Sequence, residues 1–265
     1  MTIRAAILAC FALAACATTY DVPSSGMPSS PGTVTIADPG GTPRTARDFR
    51  RVAARIEPQG ERFCTEESPG APRGYCDYTI SLADDPRMPP NAYQTRGPDG
   101  RPVVVVSAKL LDQMLSDDEI AFVLAHEMAH HIAEHLPRQQ QSQVLGALIL
   151  GGIVAAAGQA AGAPASQDTI REAMDVGSFV GSRAYSQDYE LEADWLGAFI
   201  TARAGYDPER GALIFARPAL ASSGGPVILS SHPASPRRLS LVARANEEIR
   251  RQQAAGLTPR PDRAR

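Results

Sequence analysis

Two histidines and a glutamate carry the most informative chemistry in the sequence: His126, Glu127 and His130. On a helix, residues i and i+4 share one face, so both imidazoles can reach the same zinc ion. Bound zinc lowers the pKa of a water molecule to about 7 and polarises a carbonyl group. Glu127 would take the proton of that water and pass it to a leaving amine. The spacing therefore predicts metal-assisted hydrolysis of an amide bond.

A catalytic zinc site needs a third protein ligand and an open position. His131 and His135 turn away from the ligand face of the helix, so we expect surface or packing roles for them. Residues 142–167 contain no acidic side chain. The third ligand must therefore come from a more distant part of the chain.

Glu190 is the candidate for that ligand, because Asp194 lies one helical turn further on the same face. One carboxylate would bind zinc, and the other would accept the N–H of a ligating histidine and fix its tautomer. Glu192, between them, points elsewhere and is expected in solvent.

The predicted helices place these groups. Ser116 and Glu119 form a capping box, and the helix that starts there is expected to run to about Leu136, ahead of Pro137. Apolar spacing and capping residues predict further helices. They are expected from about residue 46 to a stop at Pro58, from Ser107 through Leu115, over Tyr185–Ala204, from Pro208, and from Pro236 to about Arg251.

Strand signals are fewer. Tyr78–Leu82 is predicted as a strand, and Asn91–Thr95 and Pro102–Val106 flank a Gly-Pro-Asp-Gly turn that is typical of a β-hairpin. The predicted fold class is therefore α+β and mainly α, with a small β-sheet or hairpin and an active-site helix that carries HExxH.

The N-terminus predicts export and lipidation. Residues 1–15 have the charge and short apolar run of a signal peptide, and Leu13-Ala14-Ala15-Cys16 resembles the lipobox of bacterial lipoproteins. Cys16 would be acylated; the alternative is an ordinary signal peptide with a chance cysteine at this position. Residues 16–45, rich in Pro, Ser, Gly and Thr, would form a flexible tether. The domain is expected over residues 46–250, followed by a disordered tail at 251–265.

Two further cysteines, Cys64 and Cys76, are an even pair in an oxidising compartment and are predicted to form a disulfide. Zinc binding is the competing interpretation of these two thiols, although their spacing lacks a close CxxC pair.

Residues 142–167 form a charge-free run rich in Gly and Ala. Its length approaches a membrane span. A span would have to fit between the two halves of one active site, so we expect a helix that packs on the domain or touches a membrane surface.

The overall charge excludes one class of partner. The chain has 26 basic and 29 acidic residues, a net charge of −3. Phosphate binding needs a clear basic excess, so nucleic acid is not an expected partner.

The chain resembles the zinc metallopeptidases of the HtpX, CAAX-prenyl-protease and BepA type (peptidase family M48, the gluzincins). That family pairs HExxH with a distal ExxxD, matched here at residues 126–130 and 190–194. The shared pieces cover about residues 45–250 in the family's order. They include Asn91-Ala92, Ser116 to Glu119, Ala204-Gly205-Tyr206-Asp207-Pro208, and His232-Pro233 with Arg238.

The resemblance implies a role for each matching residue. Glu190 would be the third ligand of one zinc ion per chain, with Asp194 behind a ligating histidine. His232 matches a histidine that either occupies the open zinc position or stabilises the oxyanion, and Arg238 would steady the intermediate or form a surface ion pair. The strand that starts at Asn91-Ala92 would bind substrate backbone by strand addition.

The resemblance also implies a place and a substrate class. The sequence departs from the membrane-embedded members and is closer to the periplasmic branch. It would hydrolyse misfolded or unfolded envelope polypeptides, as a quality-control enzyme held by its lipid at the inner leaflet of the outer membrane. Ala17 after the lipidated cysteine favours the outer membrane.

Two other functions remain open from the residues. The chain could be a zinc-bearing lipoprotein that chaperones or scaffolds outer-membrane assembly with little or no proteolysis, although Glu127 argues against a purely structural zinc. It could also modify membranes through residues 142–167.

Overall fold

The computed structural model describes residues 19–23, 41–183, 186–216, 232 and 236–263. The predicted signal peptide, Cys16 and most of the predicted tether lie outside the described residues. The chain divides into two compact units. The larger unit contains residues 20–133 and those from 190 onward, and the smaller unit contains residues 134–189 with Thr19.

Helices dominate the described residues, and a small sheet accompanies them, which confirms the predicted α+β, mainly α class. In chain order the elements are α1 (Ala46–Glu67), β1 (Thr79–Ala83), β2 (Ala92–Arg96), β3 (Pro102–Ser107), α2 (Ala108–Leu111), α3 (Asp117–Ile132), α4 (His135–Ala160), α5 (Gln167–Arg183), α6 (Ser186–Arg203), α7 (Pro208–Ala212), a 3-10 turn (Leu213–Ala216) and α8 (Pro236–Ala254).

The sheet has three strands in the order β1-β3-β2, so β2 lies at an edge. β1 runs parallel to β3, and β2 pairs antiparallel with β3. The turn between β2 and β3 is closed by a hydrogen bond from the Gly100 N–H to the Gly97 carbonyl. The predicted hairpin is therefore confirmed, and β3, largely buried, is its inner strand.

Helix α1 continues through Pro58, so the predicted stop at that residue is wrong. A proline inside a helix costs about 3 kcal/mol. The cost is offset because the buried face does not end there: Ile56, Gly60 and Phe63 follow one another at helical spacing. A Cβ at Gly60 would overlap the side chain of Met128, so glycine allows α1 to lie directly against α3.

Helix α3 begins as predicted, with the Ser116 hydroxyl accepting the N–H of Glu119. It ends at Ile132, four residues before the predicted Leu136. Glu134 adopts a left-handed conformation with φ 56° and interrupts the helix. Pro137 has no N–H to donate, so it cannot continue the hydrogen bonds of α3. It lies instead in the first turn of a new helix, where that N–H is not needed.

Helix α2 is shorter than the predicted 107–115 segment and ends at Leu111. The N–H of Leu115 donates to the Glu119 carboxylate at 2.6 Å. This residue therefore belongs to the start of α3 rather than to the end of α2.

The predictions of a disordered tail and a flexible tether are wrong for those residues of the two segments that the structure describes. The Arg203 guanidinium donates to the Pro259 carbonyl at 2.7 Å, and Tyr20 forms a β-bridge with Arg263. Tyr20 is only 1% exposed. The Arg263 guanidinium of the predicted tail lies 3.2 Å from the Glu67 carboxylate of α1, so this end of the chain is bound to the domain.

Helices α4 and α5 form an antiparallel hairpin in the smaller unit; α5 was not predicted. A Cβ at Gly177 would overlap the carbonyl of Gly146, so the two backbones touch. By length and composition α4 is the one described helix that could cross a membrane, and only 6% of its most apolar stretch is buried.

Candidate metal centre

Helices α3 and α6 bring the two halves of the predicted site together. Glycine makes the close approach possible, because a Cβ at Gly197 would lie 3.2 Å from the backbone nitrogen of His126. Both helices are buried around the site, including the polar side chains that they carry there. The side chains that point between them therefore have little contact with solvent.

Four side chains converge on one point: His126, His130, Glu190 and His232. The Nε2 atom of His126 lies 3.0 Å from Nε2 of His130 and 3.3 Å from a Glu190 oxygen. His130 Nε2 lies 3.4 Å from the other Glu190 oxygen. Tetrahedral zinc bonds of about 2.05 Å place neighbouring donor atoms roughly 3.3 Å apart, so this donor set fits zinc.

His232 supplies the fourth donor atom of the group. Its Nδ1 lies 3.2 Å from Nε2 of His126 and 2.9 Å from Oε2 of Glu190. Its other ring nitrogen lies 3.4 Å from Oε1 of Glu127. In this arrangement the imidazole contacts both the predicted base and the ligand atoms of His126 and Glu190.

A buried ion pair supports the ligands from behind. Arg238 donates to both oxygens of Asp194, at 2.6 and 2.7 Å. Asp194 Oδ1 in turn lies 3.0 Å from Nδ1 of His126, at hydrogen-bonding distance without the alignment of a formed bond. The arrangement orients the imidazole whose Nε2 faces the ligand group.

Arg238 is not the surface ion pair that the sequence allowed, since it is 3% exposed. It also donates to the backbone carbonyl of His232 at 3.1 Å. Its contacts are with residues that hold the ligands, so the structure gives it a positioning role.

The electrostatics favour a charged Glu190. Burial would raise the pKa of its carboxyl, but the positive charges of His232, Arg238 and His130 hold that pKa well below its usual range. The pKa of the Asp194 carboxyl is also lowered. Burial would raise it, but the neighbouring Arg238 guanidinium outweighs the effect of burial. Two ionised carboxylates at the site suit a divalent cation.

The remaining acidic and histidine residues of the motifs have structural roles. His131 and His135 are buried packing residues, 2% and 4% exposed. Glu192 is fully buried and accepts the backbone N–H of Tyr20 at 2.8 Å, so its predicted solvation is wrong.

Aromatic side chains around the site were missed by the sequence reasoning. The ring of Phe215 lies under the Arg238 guanidinium, with 4.0 Å between the ring centroid and the guanidinium carbon. The same ring packs against the imidazole of His126. Tyr75 packs on His131, and its carbonyl lies 2.8 Å from the His131 ring nitrogen. Apolar residues in loops carry no spacing signal, so nothing in the sequence pointed to them.

The disulfide between Cys64 and Cys76 is present, as predicted, and zinc binding by these thiols is excluded. It joins the last turn of α1 to the loop that carries Tyr75. The residues that pack against the outer side of the HExxH helix are thereby tied to the fold.

The predicted substrate strand lies beside the core. Ala92 is fully buried and opens β2, and the Asn91 N–H donates to the Ser107 hydroxyl at 2.9 Å. The position at the edge of the sheet agrees with the expectation.

Helix-borne histidines, a distal glutamate and a buried base define a zinc hydrolase centre. The sequence matches the model of Peptidase family M48 over residues 51–245, and the chain belongs to that family. No curated protein matches the chain. Membership identifies the protein as a zinc metallopeptidase, and the matched region contains both HExxH and ExxxD.

Proposed function

We propose that the protein is an endopeptidase that uses one zinc ion to cleave internal peptide bonds of unfolded or misfolded envelope polypeptides. The observation that carries this proposal is the state of Glu127. Its side chain is 2% exposed beside the ligand group, and its Oε1 has no hydrogen-bond partner among the described residues. The oxygen lies 3.4 Å from Nε2 of His232 without forming a hydrogen bond. A buried carboxylate oxygen without a hydrogen bond is costly, and catalysis gives it a use.

Each residue of the site has its own role in the proposed hydrolysis. Bound zinc supplies Lewis acidity that activates water and polarises the scissile carbonyl. His126, His130 and Glu190 hold the ion, while Asp194 and Arg238 fix the orientation of His126. Glu127 takes the proton of the attacking water and delivers it to the leaving amine.

The edge strand suits an extended substrate. The Ser107 N–H donates to the Asn91 carbonyl, and the Gly97 N–H donates to the Arg101 carbonyl, so the odd-numbered residues pair with β3. The alternate residues Ala92, Gln94 and Arg96 therefore direct their backbone groups to the open edge. A peptide that adds a strand there is recognised through its backbone, which gives little sequence selectivity. Unfolded chains offer such a backbone and folded proteins do not.

His232 makes the enzyme latent in this proposal. A catalytic zinc keeps one position open. Because Nδ1 of His232 lies among the ligand atoms, it would compete for that position, and substrate entry would require the imidazole to move away. Removal of the side chain then increases activity, whereas a histidine that stabilises the oxyanion would be needed for it.

The location is also proposed. The lipobox-like Leu13-Ala14-Ala15-Cys16 supports acylation of Cys16, and a disulfide supports an oxidising compartment such as the periplasm. We place the protein at the inner leaflet of the outer membrane. Mass measurement of the mature chain and fractionation of the two membranes test acylation and location.

The test of activity compares four proteins at equal zinc content on unfolded casein. Wild type is expected to bind one zinc per chain, and Glu127→Gln is expected to retain it while activity falls by at least about 100-fold. His232→Ala is expected to cleave faster than wild type. His135→Ala removes a buried histidine outside the ligand group and controls for loss of packing.

Each result decides between functions. Equal cleavage by wild type, His232→Ala and Glu127→Gln, with zinc bound, would refute the endopeptidase and leave the scaffold or chaperone. Lower activity in His232→Ala alone would replace latency with oxyanion stabilisation. A wild type that binds no zinc would refute the metal centre.

A further inference from the structure

Among the described residues, most of the large apolar side chains that are exposed lie on the hairpin of α4 and α5. All the large apolar side chains that are exposed lie on it, except Tyr93 and Leu257. On α4 they are Val144, Leu145, Leu148, Ile149 and Ile153, with Leu148 60% exposed. A contiguous apolar face of this kind in a protein surface marks an interaction site.

The distribution of charge distinguishes a lipid surface from a membrane span. No charged residue occurs from Ser142 to Gln167, so the part of α4 from residue 142 onward offers the hydrocarbon no charged group. Both ends of the hairpin lead into the helices that carry the zinc ligands, so a span by α4 would force α5 to cross as well. α5 exposes Asp168, Arg171 and Glu172, which are costly inside a bilayer.

A second observation places a membrane near α4. The Arg138 guanidinium, in the first turns of α4, donates to the hydroxyl of Thr19. Thr19 follows Cys16 by three residues. An extended chain covers at most about 3.6 Å per residue, so an acyl group on Cys16 lies within roughly 11 Å of Thr19. The proposed anchor therefore starts next to the apolar helix.

We propose that the apolar face of α4 docks on the lipid bilayer, with the helix lying in the interface and α5 on its aqueous side. The inference rests on the proposed lipid anchor for the proximity of the membrane. A lipid chain and an apolar helix together give two attachments, and paired attachments hold a protein far more firmly than one acyl chain does. The smaller unit is then fixed in orientation as well as in place.

The test uses the mature, acylated protein in vesicles of phosphatidylethanolamine and phosphatidylglycerol. Leu148→Cys and Leu257→Cys are matched, because both leucines are 60% exposed and only one lies on the hairpin. With Cys64 and Cys76 paired and Cys16 acylated, the new thiol alone takes an environment-sensitive fluorophore. Quenching is measured with aqueous iodide and with nitroxide lipids labelled at shallow or deep positions.

We expect iodide to quench the label at position 148 roughly fivefold less than the label at position 257, and the shallow nitroxide to quench it best. Equal iodide quenching at both positions would overturn the inference. So would stronger quenching by the deep nitroxide, which indicates a span. Protection from iodide without quenching by either nitroxide would indicate a second protein copy on this face.

Separate measurements report on the lipid anchor and on the docking of α4. The mass of the same preparation reports whether Cys16 is acylated. An unmodified Cys16 would refute the anchor. The same labels in a Cys16→Ser background, where the new thiol is again the only free one, would then test docking of the hairpin alone.

Discussion

Replacing Arg238 by methionine tests whether the buried ion pair behind the site stabilises the fold or only accompanies it. The change keeps a similar length and removes the charge that faces Asp194. The two residues are 3% and 1% exposed and form two hydrogen bonds of 2.6 and 2.7 Å. Asp194 would remain as a buried carboxylate without its main partner.

The expected loss of stability follows from the burial of the ion pair and from the distance between its charges. Two unit charges about 4 Å apart interact by about 4 kcal/mol at an effective dielectric constant of 20. Breaking a buried pair by removal of one partner costs about 3–5 kcal/mol, because the remaining charge is uncompensated. We therefore expect the free energy of unfolding of Arg238→Met to fall by about 4 kcal/mol at pH 7.

The assay is urea unfolding of the zinc-free protein, which separates fold stability from metal binding. Asp194→Asn and the double variant complete a cycle. Because methionine beside a neutral amide leaves no buried charge, the double variant is expected to be more stable than the sum of the single effects predicts. Arg238→Lys, which keeps the charge without the bidentate geometry, should lose less than Arg238→Met. If the single effects add to within about 0.5 kcal/mol, Arg238 and Asp194 are not coupled and the ion pair does not stabilise the fold.

Three further predictions concern the surroundings of the site. Conversion of Cys64 and Cys76 to serine should lower the free energy of unfolding by about 3 kcal/mol in denaturant titrations, and a reductant should then have no further effect. Gly197→Ala should weaken zinc binding roughly tenfold in a chelator competition, because the new Cβ pushes α6 from α3; Gly152→Ala, which meets no neighbour, should not. Burial lowers the pKa of His131 to about 4, so the unfolded chain binds its proton first and stability falls as pH drops from about 6.5 towards 4. His131→Gln should remove about 2 kcal/mol of the stability difference between pH 7 and pH 5 in the zinc-free protein.

The parts of the site that follow local rules were predictable from the sequence. His126 and His130, and likewise Glu190 and Asp194, are i and i+4 pairs, and the spacing alone puts each pair on one helix face. The start of α3 followed from the capping chemistry of Ser116. Each of these inferences needed only a few neighbouring residues.

The parts that depend on tertiary contact were not predictable. Pro58 should end a helix by local rules, but a buried face on both sides of it keeps α1 intact. Glu192 reads as a solvated charge until Tyr20, from a segment predicted to be flexible, buries it. The positioning role of Arg238 likewise depends on Asp194 being within reach across α6 and α8.

The insertion of a helical hairpin between HExxH and ExxxD has a consequence for the order of assembly. His130 and Glu190 are separated by sixty residues, and closing a flexible loop of that length costs roughly 4 kcal/mol in chain entropy. The hairpin forms through its own local contacts and shortens the distance that remains to be closed. Until α6 reaches α3, the chain offers zinc only the two histidines of one helix. The group of metal ligands is therefore complete only when α6 packs against α3, so folding of the domain itself controls when peptidase activity can begin.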